Sequence, residues 1–150
     1  MSAPGKWTQP FVLIVEDDPW IRGIASELLE DEGFAVASAA DGQLGLEMAK
    51  RLRPAVILLD IGLPRMSGGE FLKRVRGHPS LRETPVIVVS GQSEALSEGV
   101  TRLATGVLWK PFDLTELMDR VQESAAAGVR LSGMHDDNTA AVGYQQSNRS

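Results

Sequence analysis

A doubly wound α/β fold, with a five-stranded parallel sheet and helices on both faces, is expected from three features of this 150-residue chain. Short apolar, β-branched runs alternate with segments of helical period, the signature of successive βα units. The runs are apolar at consecutive positions, as strands buried on both faces must be. Four of the runs stop on a polar or charged residue, at the strand ends beyond which functional groups gather in such sheets.

Phe11–Val15 is the first run, followed by Glu16 and Asp17. Asp18-Pro19 reads as a helix start, because Asp18 can cap it and Pro19 sits in the first turn, where its missing N–H costs nothing. Ile21, Ile24, Ala25, Leu28 and Leu29 recur at helical spacing until Gly33. A weaker strand, Phe34–Ala37, leads through Asp41-Gly42 to a second helix with Leu44, Met48 and Leu52 on one face; Gly45 lowers its propensity. Ala55–Leu59 is the third strand, stopping on Asp60. Ile61 to Gly69 reads as a loop, and a short helix carries Phe71, Leu72 and Val75.

Pro85–Val89 stops on Ser90. The stretch Gly91–Thr105 has weak helical periodicity and two glycines, so the fourth helix is expected to be short or irregular. Val107–Trp109 stops on Lys110, and strand alternation turns Trp109 away from that lysine, into the core. Asp113 and Glu116 resemble a capping box ahead of Leu114, Leu117, Met118 and Val121. From about Ala127 onward Gly, Ser, Asn, Asp and Gln dominate. The expected organisation is an N-terminal extension over 1–9, one folded domain over 10–126 and a disordered tail over 127–150.

The N-terminus MSAPGKWTQP has no apolar signal region, no run is long enough to cross a bilayer, and there is no cysteine. These features fit a cytoplasmic location. A net charge of −5 argues against a surface devoted to nucleic-acid phosphates.

If the strands are neighbours, Glu16, Asp17, Asp60, Ser90 and Lys110 surround one pocket. A single acid or lysine at a strand end is ordinarily solvated, but such residues at the ends of four runs make a poor case for that. Three crowded carboxylates are electrostatically costly unless a cation compensates. An all-oxygen donor set favours Mg2+, with Mn2+ as a substitute. A carboxylate can attack phosphorus to give an acyl phosphate, while a cation, an ammonium and a hydroxyl share the phosphoryl charge. The pattern points to phosphoryl transfer onto an aspartate.

Four segments carry a family resemblance: Val15-Glu16-Asp17-Asp18; Leu58-Leu59-Asp60-Ile61-Gly62-Leu63-Pro64 with Met66-Ser67-Gly68; Val88-Val89-Ser90-Gly91; and Lys110-Pro111-Phe112. In this order, between Phe11 and Ala125, they resemble the response-regulator receiver domain of two-component signalling. The resemblance implies a flavodoxin-like strand order 2-1-3-4-5 and a receiver over residues 10–126. It implies Asp60 as phosphoacceptor, with Mg2+ held by Asp17, Asp60 and the backbone carbonyl of Gly62, and by Glu16 mainly through a water. Ser90 would reach the phosphoryl group, and Lys110, followed by a cis peptide bond, would pair first with Asp60 and then with the phosphoryl. The implied donor is a sensor histidine kinase or a histidine phosphotransfer protein, with an unidentified downstream protein target, no direct nucleic acid and no membrane insertion. The short polar tail leads us to expect a stand-alone regulator without an output domain, a phosphoacceptor that promotes its own phosphorylation and dephosphorylation and is not an enzyme in the usual sense.

Many receivers carry Tyr or Phe three residues before the lysine, where this chain has Val107. The switch is therefore expected to work by ordering within the 90–112 region instead of by rotating a ring. Gly62 and Gln92 flank the pocket at positions that, in the family, tune hydrolysis of the acyl phosphate. Asp18 is better used as a cap than as a ligand, Trp20 flanks the pocket or packs, and Arg102 is solvated. His78 and His135 have no ligand partner at metal spacing. Two alternatives remain at this point. A haloacid-dehalogenase-type phosphohydrolase would resemble D-x-D after the first strand, and a phosphorylation-independent, receiver-like binding module would have lost Asp60 or Lys110.

Overall fold

The computed structural model describes residues 11–91 and 96–136, the side chains of Leu114 and of residues 127–136 excepted. Five strands, β1 (Phe11–Val15), β2 (Ala35–Ala39), β3 (Val56–Asp60), β4 (Val86–Ser90) and β5 (Gly106–Trp109), form one parallel sheet in the order β2-β1-β3-β4-β5. The helices are α1 (Pro19–Asp31), α2 (Gly42–Leu52), α3 (Gly68–Gly77), α4 (Glu98–Leu103) and α5 (Leu114–Asp136). The expected extension over 1–9 lies outside the described residues.

The sheet separates two cores, and strand alternation assigns residues to each. Leu13, Val15, Ile57, Leu59, Val86 and Val88 pack with Leu46, Phe71, Leu72 and Val100 on the side of α2, α3 and α4. Val12, Ile14, Val56, Leu58, Ile87 and Leu108 pack with Leu29, Leu117 and Val121 on the side of α1 and α5. Strands buried on both faces need no alternation of polar residues, which is why they are plain apolar runs in the sequence.

The helix starts follow local chemistry. Asp18 Oδ1 accepts the N–H of Trp20 at 2.9 Å and that of Ile21 at 3.4 Å. Asp41 accepts from Leu44 at 2.8 Å, Ser67 from Glu70 at 3.1 Å, and Asp113 from Glu116 at 2.9 Å. Gly33, at φ 99°, ends the chain's exit from α1 in a conformation that favours glycine. Asp18→Ala is expected to lower stability by about 1 kcal/mol. In urea, the unfolding midpoint should fall while the slope is unchanged.

Several expectations need correction. The strands β3 and β4 run one residue beyond the apolar runs Ala55–Leu59 and Pro85–Val89, ending on Asp60 and Ser90, which pair with Val89 and Trp109. Helix α3 begins at Gly68, inside the stretch read as a loop, because Ser67 caps it. On α2 the core face is Leu46 and Ala49 with Gly42 and Gly45, while Leu44 is 41% exposed. A Cβ on Gly45 would lie 2.9 Å from Val15 Cγ2 and 3.2 Å from Phe71 Cε2, so this glycine is where α2 closes onto β1. Gly45→Ala is expected to destabilise by about 1–3 kcal/mol through overpacking, against the gain that helix propensity alone would give; thermal melts check the sign.

Trp109 is not core but 46% exposed. It ends an edge strand and shares the face of Val107, one step beyond the layer that half-buries that valine. Helix α5 does not stop near Ala126 but runs to Asp136. The alanines at 125–127 have the highest intrinsic propensity and carry the helix past Ala125, which is buried. Residues 137–150 lie outside the described residues. On the open edge of β5, Arg120 Nη1 donates to the carbonyl of Val107 at 3.2 Å.

Candidate functional site

The carboxyl ends of β1, β3, β4 and β5 bring the chemistry together. Glu16 directly follows β1; its N–H donates to the carbonyl of Ala39 at 3.0 Å, continuing the sheet pattern. Its own carbonyl accepts from Arg22 Nη1 at 2.8 Å, and its side chain accepts the N–H of Asp18 at 3.1 Å. Arg22 is a supporting residue that sequence reasoning missed, because only the turn from β1 into α1 brings its guanidinium back to that carbonyl. Asp60 Oδ1 accepts the N–H of Gly62 at 3.0 Å. Glu16 and Asp60 are 5% and 8% exposed, whereas Asp17 is open to solvent. One carboxylate oxygen from each of the three lies within 4.8 Å of the others. Asp18, occupied as the cap of α1, stays out of the cluster.

Ser90 is fully buried, and its Oγ donates to the carbonyl of Gly91 at 3.2 Å. The N–H of Lys110 donates to the carbonyl of Ser90 at 2.7 Å, and the Lys110-Pro111 bond is cis. Among the described residues no ion pair joins Lys110 to Asp60, so the resting pair implied by the resemblance is not made in this structure. The lysine's charge nonetheless acts on Glu16. Gln92 lies outside the described residues.

Burial pushes the Glu16 carboxyl up to about 7. The neighbouring Asp60 adds to the rise, while the Asp18 N–H and the Lys110 charge oppose it. A half-dry cluster of three carboxylates, one holding its proton close to neutrality, suits a hard divalent cation that would replace that proton. The donor set therefore fits Mg2+.

The loop after β3 is held at both ends. A Cβ on Gly68 would meet the backbone of Ile61, and one on Gly42 would lie 2.9 Å from Met66 Sδ, so both helices close onto the loop through glycines. Arg65, at φ 67°, reaches Asp41 at 3.6 Å. Asp60 and Gly62 thus sit on a braced segment.

Residues 12–122 match the family described as the response regulator receiver domain. The chain belongs to that family. This receiver is 36% identical over 115 residues to the "DNA-binding dual master transcriptional regulator RpaA" of Synechocystis, covering 75% of the chain and 48% of that protein. It is 31% identical to "Sporulation initiation phosphotransferase F" of Bacillus subtilis, covering 75% of the chain and 90% of that protein. Among solved structures, the chemotaxis response regulator CheY4 of Vibrio cholerae matches with a TM-score of 0.72 at 34% identity, covering 78% of this chain and 99% of that one. A putative response regulator from Chloroflexus aurantiacus matches with a TM-score of 0.74 at 29% identity, covering 79% and 99%. The receiver spans about half the length of the transcriptional regulators it matches. These comparisons do not favour the dehalogenase-type hydrolase. Among the described residues no helix is long and apolar enough to cross a membrane.

Proposed function

We propose that this receiver accepts a phosphoryl group on Asp60 from a phosphohistidine on a partner protein, in an Mg2+-dependent reaction, and passes the signal to a downstream protein. The convergence of Glu16, Asp17 and Asp60 at the end of a sheet that also presents Ser90 and Lys110 carries this reading. The Gly62 N–H donates to Oδ1 of Asp60 and so orients the carboxylate, one oxygen of which attacks phosphorus. As the new O–P bond forms, the P–N bond of the donor breaks. Its electron pair stays on the imidazole, which leaves neutral because its other nitrogen carries the proton.

Glu16, Asp17, Asp60 and the carbonyl of Gly62 would hold Mg2+, which when bound supplies positive charge against the carboxylates and the phosphoryl oxygens. The Lys110 ammonium and the Ser90 hydroxyl take the remaining phosphoryl oxygens. No external substrate is turned over in this role, and the downstream contact is with protein and not with nucleic acid.

Incubation with acetyl phosphate and Mg2+ tests the reading by intact mass. A single phosphoryl increment is expected, absent in Asp60→Asn and absent with EDTA. Steady hydrolysis of a phosphomonoester without any increment on the protein would contradict it.

A further inference from the structure

Helix α4 is only six residues long and contains Gly99, well below the roughly 12–15 residues at which an isolated helix becomes even marginal. It must be held from outside. Its first turn is held by Ser97, whose Oγ accepts the N–H of Val100 at 3.2 Å and whose carbonyl accepts that of Thr101 at 3.1 Å. Val100 is buried against Gly69 of α3.

The last turn of α4 is held by Arg76, from the end of α3. Nε donates to the carbonyl of Leu103 at 3.0 Å, and Nη1 donates to the carbonyls of Thr84 at 2.6 Å and Arg82 at 3.0 Å. Nη2 lies 3.5 Å from Thr105 Oγ1, which itself accepts the N–H of Val86 at 2.8 Å. One guanidinium therefore ties together the end of α3, the entry to β4, the end of α4 and the entry to β5. Among the described residues no carboxylate pairs with it. All its acceptors are neutral oxygens, and burial lowers its pKa. Such a cation is held by the match of a rigid fork to fixed acceptors and by the negative end of α4, not by a counter-ion.

These attachments lie at the amino ends of β4 and β5, the opposite end of the sheet from Asp60, Ser90 and Lys110. Helix α4 thus has one end toward the site and the other bolted to the scaffold. Val107, which lacks an aromatic ring, packs into the core that α4 covers.

We propose that Arg76 is the fixed pivot of the receiver's conformational output: a change begun at Ser90 displaces the near end of α4, while Arg76 holds its far end, so that α4 tilts across α3. This rests on phosphorylation of Asp60. Arg76 takes no part in that chemistry and is a positioning residue.

Amide hydrogen exchange with and without acetyl phosphate and Mg2+, read beside intact mass, tests the pivot. In the wild type, the near-end amides of Val100 and Thr101 are expected to change protection by about tenfold. The far-end amides of Ala104 and Thr105, bonded to the carbonyls of Val100 and Val86, are expected to stay unchanged. Arg76→Lys keeps the charge but loses the fork. It is expected to take up the phosphoryl group as the wild type does, and to let the far-end amides respond with the near-end ones. An equal response at both ends of wild-type α4, or an unmoved far end in Arg76→Lys, would overturn the pivot. Absence of the mass increment in the wild type would instead overturn the phosphoacceptor role proposed for Asp60, and the pivot with it.

Discussion

Adding Mg2+ to the metal-free protein is expected to raise its melting temperature much more at pH 8 than at pH 5.5. Glu16 titrates near 7 in the folded protein, against an ordinary value of 4.5, because it is buried beside Asp60. A carboxyl raised in this way binds its proton more tightly when folded than when unfolded. Its contribution to stability is complete below about 4.5 and is lost as the pH rises through about 7. At pH 8 the metal-free fold carries the full burden of a buried, crowded carboxylate, and Mg2+ meets ligands that are already ionised. At pH 5.5 the cation must first displace a proton. At a hundredfold excess over its Kd, Mg2+ stabilises by about 2.7 kcal/mol, on the order of 10 °C for a domain of this size. Asp60→Asn removes one of the opposing charges, so its metal-free melting temperature at pH 8 should rise and its response to Mg2+ should disappear. Equal Mg2+ shifts at the two pH values, or an intact shift in Asp60→Asn, would contradict this account of the cluster.

Gly68→Ala and Gly69→Ala are expected to have opposite effects although the residues are adjacent. A Cβ on Gly68 would lie 2.9 Å from the Cα of Ile61, a backbone atom that no side-chain rotation can move away. Relief requires Ile61 itself to shift, and Ile61 lies between Asp60 and Gly62. A loss of about 1–3 kcal/mol and slower phosphoryl uptake should therefore appear together. A Cβ on Gly69 meets nothing nearer than Val100 Cγ2 at 3.4 Å, an ordinary contact. There the helix propensity of alanine should leave stability unchanged or raise it by up to about 1 kcal/mol. Thermal melts of the two variants, with uptake rates from mass, distinguish the cases. A Gly68→Ala protein as stable and as fast as the wild type would show that the loop is not braced where the glycine lets α3 close on it.

The site residues were legible because parallel strands all end on one side, so Asp60, Ser90 and Lys110 could be placed together from the points at which apolar runs stop. The caps Asp18 and Asp113 were legible because a cap acts within three residues of itself. What the sequence hid lies between elements. Gly45 looks like a defect in a helix until Val15 and Phe71 are seen beneath it. Arg76 looks like one more surface cation, since Leu103, an acceptor of its fork, is 27 residues away. Trp109 was misassigned because alternation tells which face a side chain takes and not how far the covering layer reaches. The extent of α5 was missed because a helix rich in alanine needs no continuous apolar face.

The hydrogen bond from Arg120 to the Val107 carbonyl also bears on self-association. An exposed edge strand is a template onto which a strand from another molecule can add. On β5 that template carries an obstacle: a guanidinium already occupies an outward-facing acceptor, and an incoming strand would have to evict a charged group before pairing. The helix that covers one face of the sheet thereby also insulates its open flank, guarding the protein against edge-to-edge polymerisation.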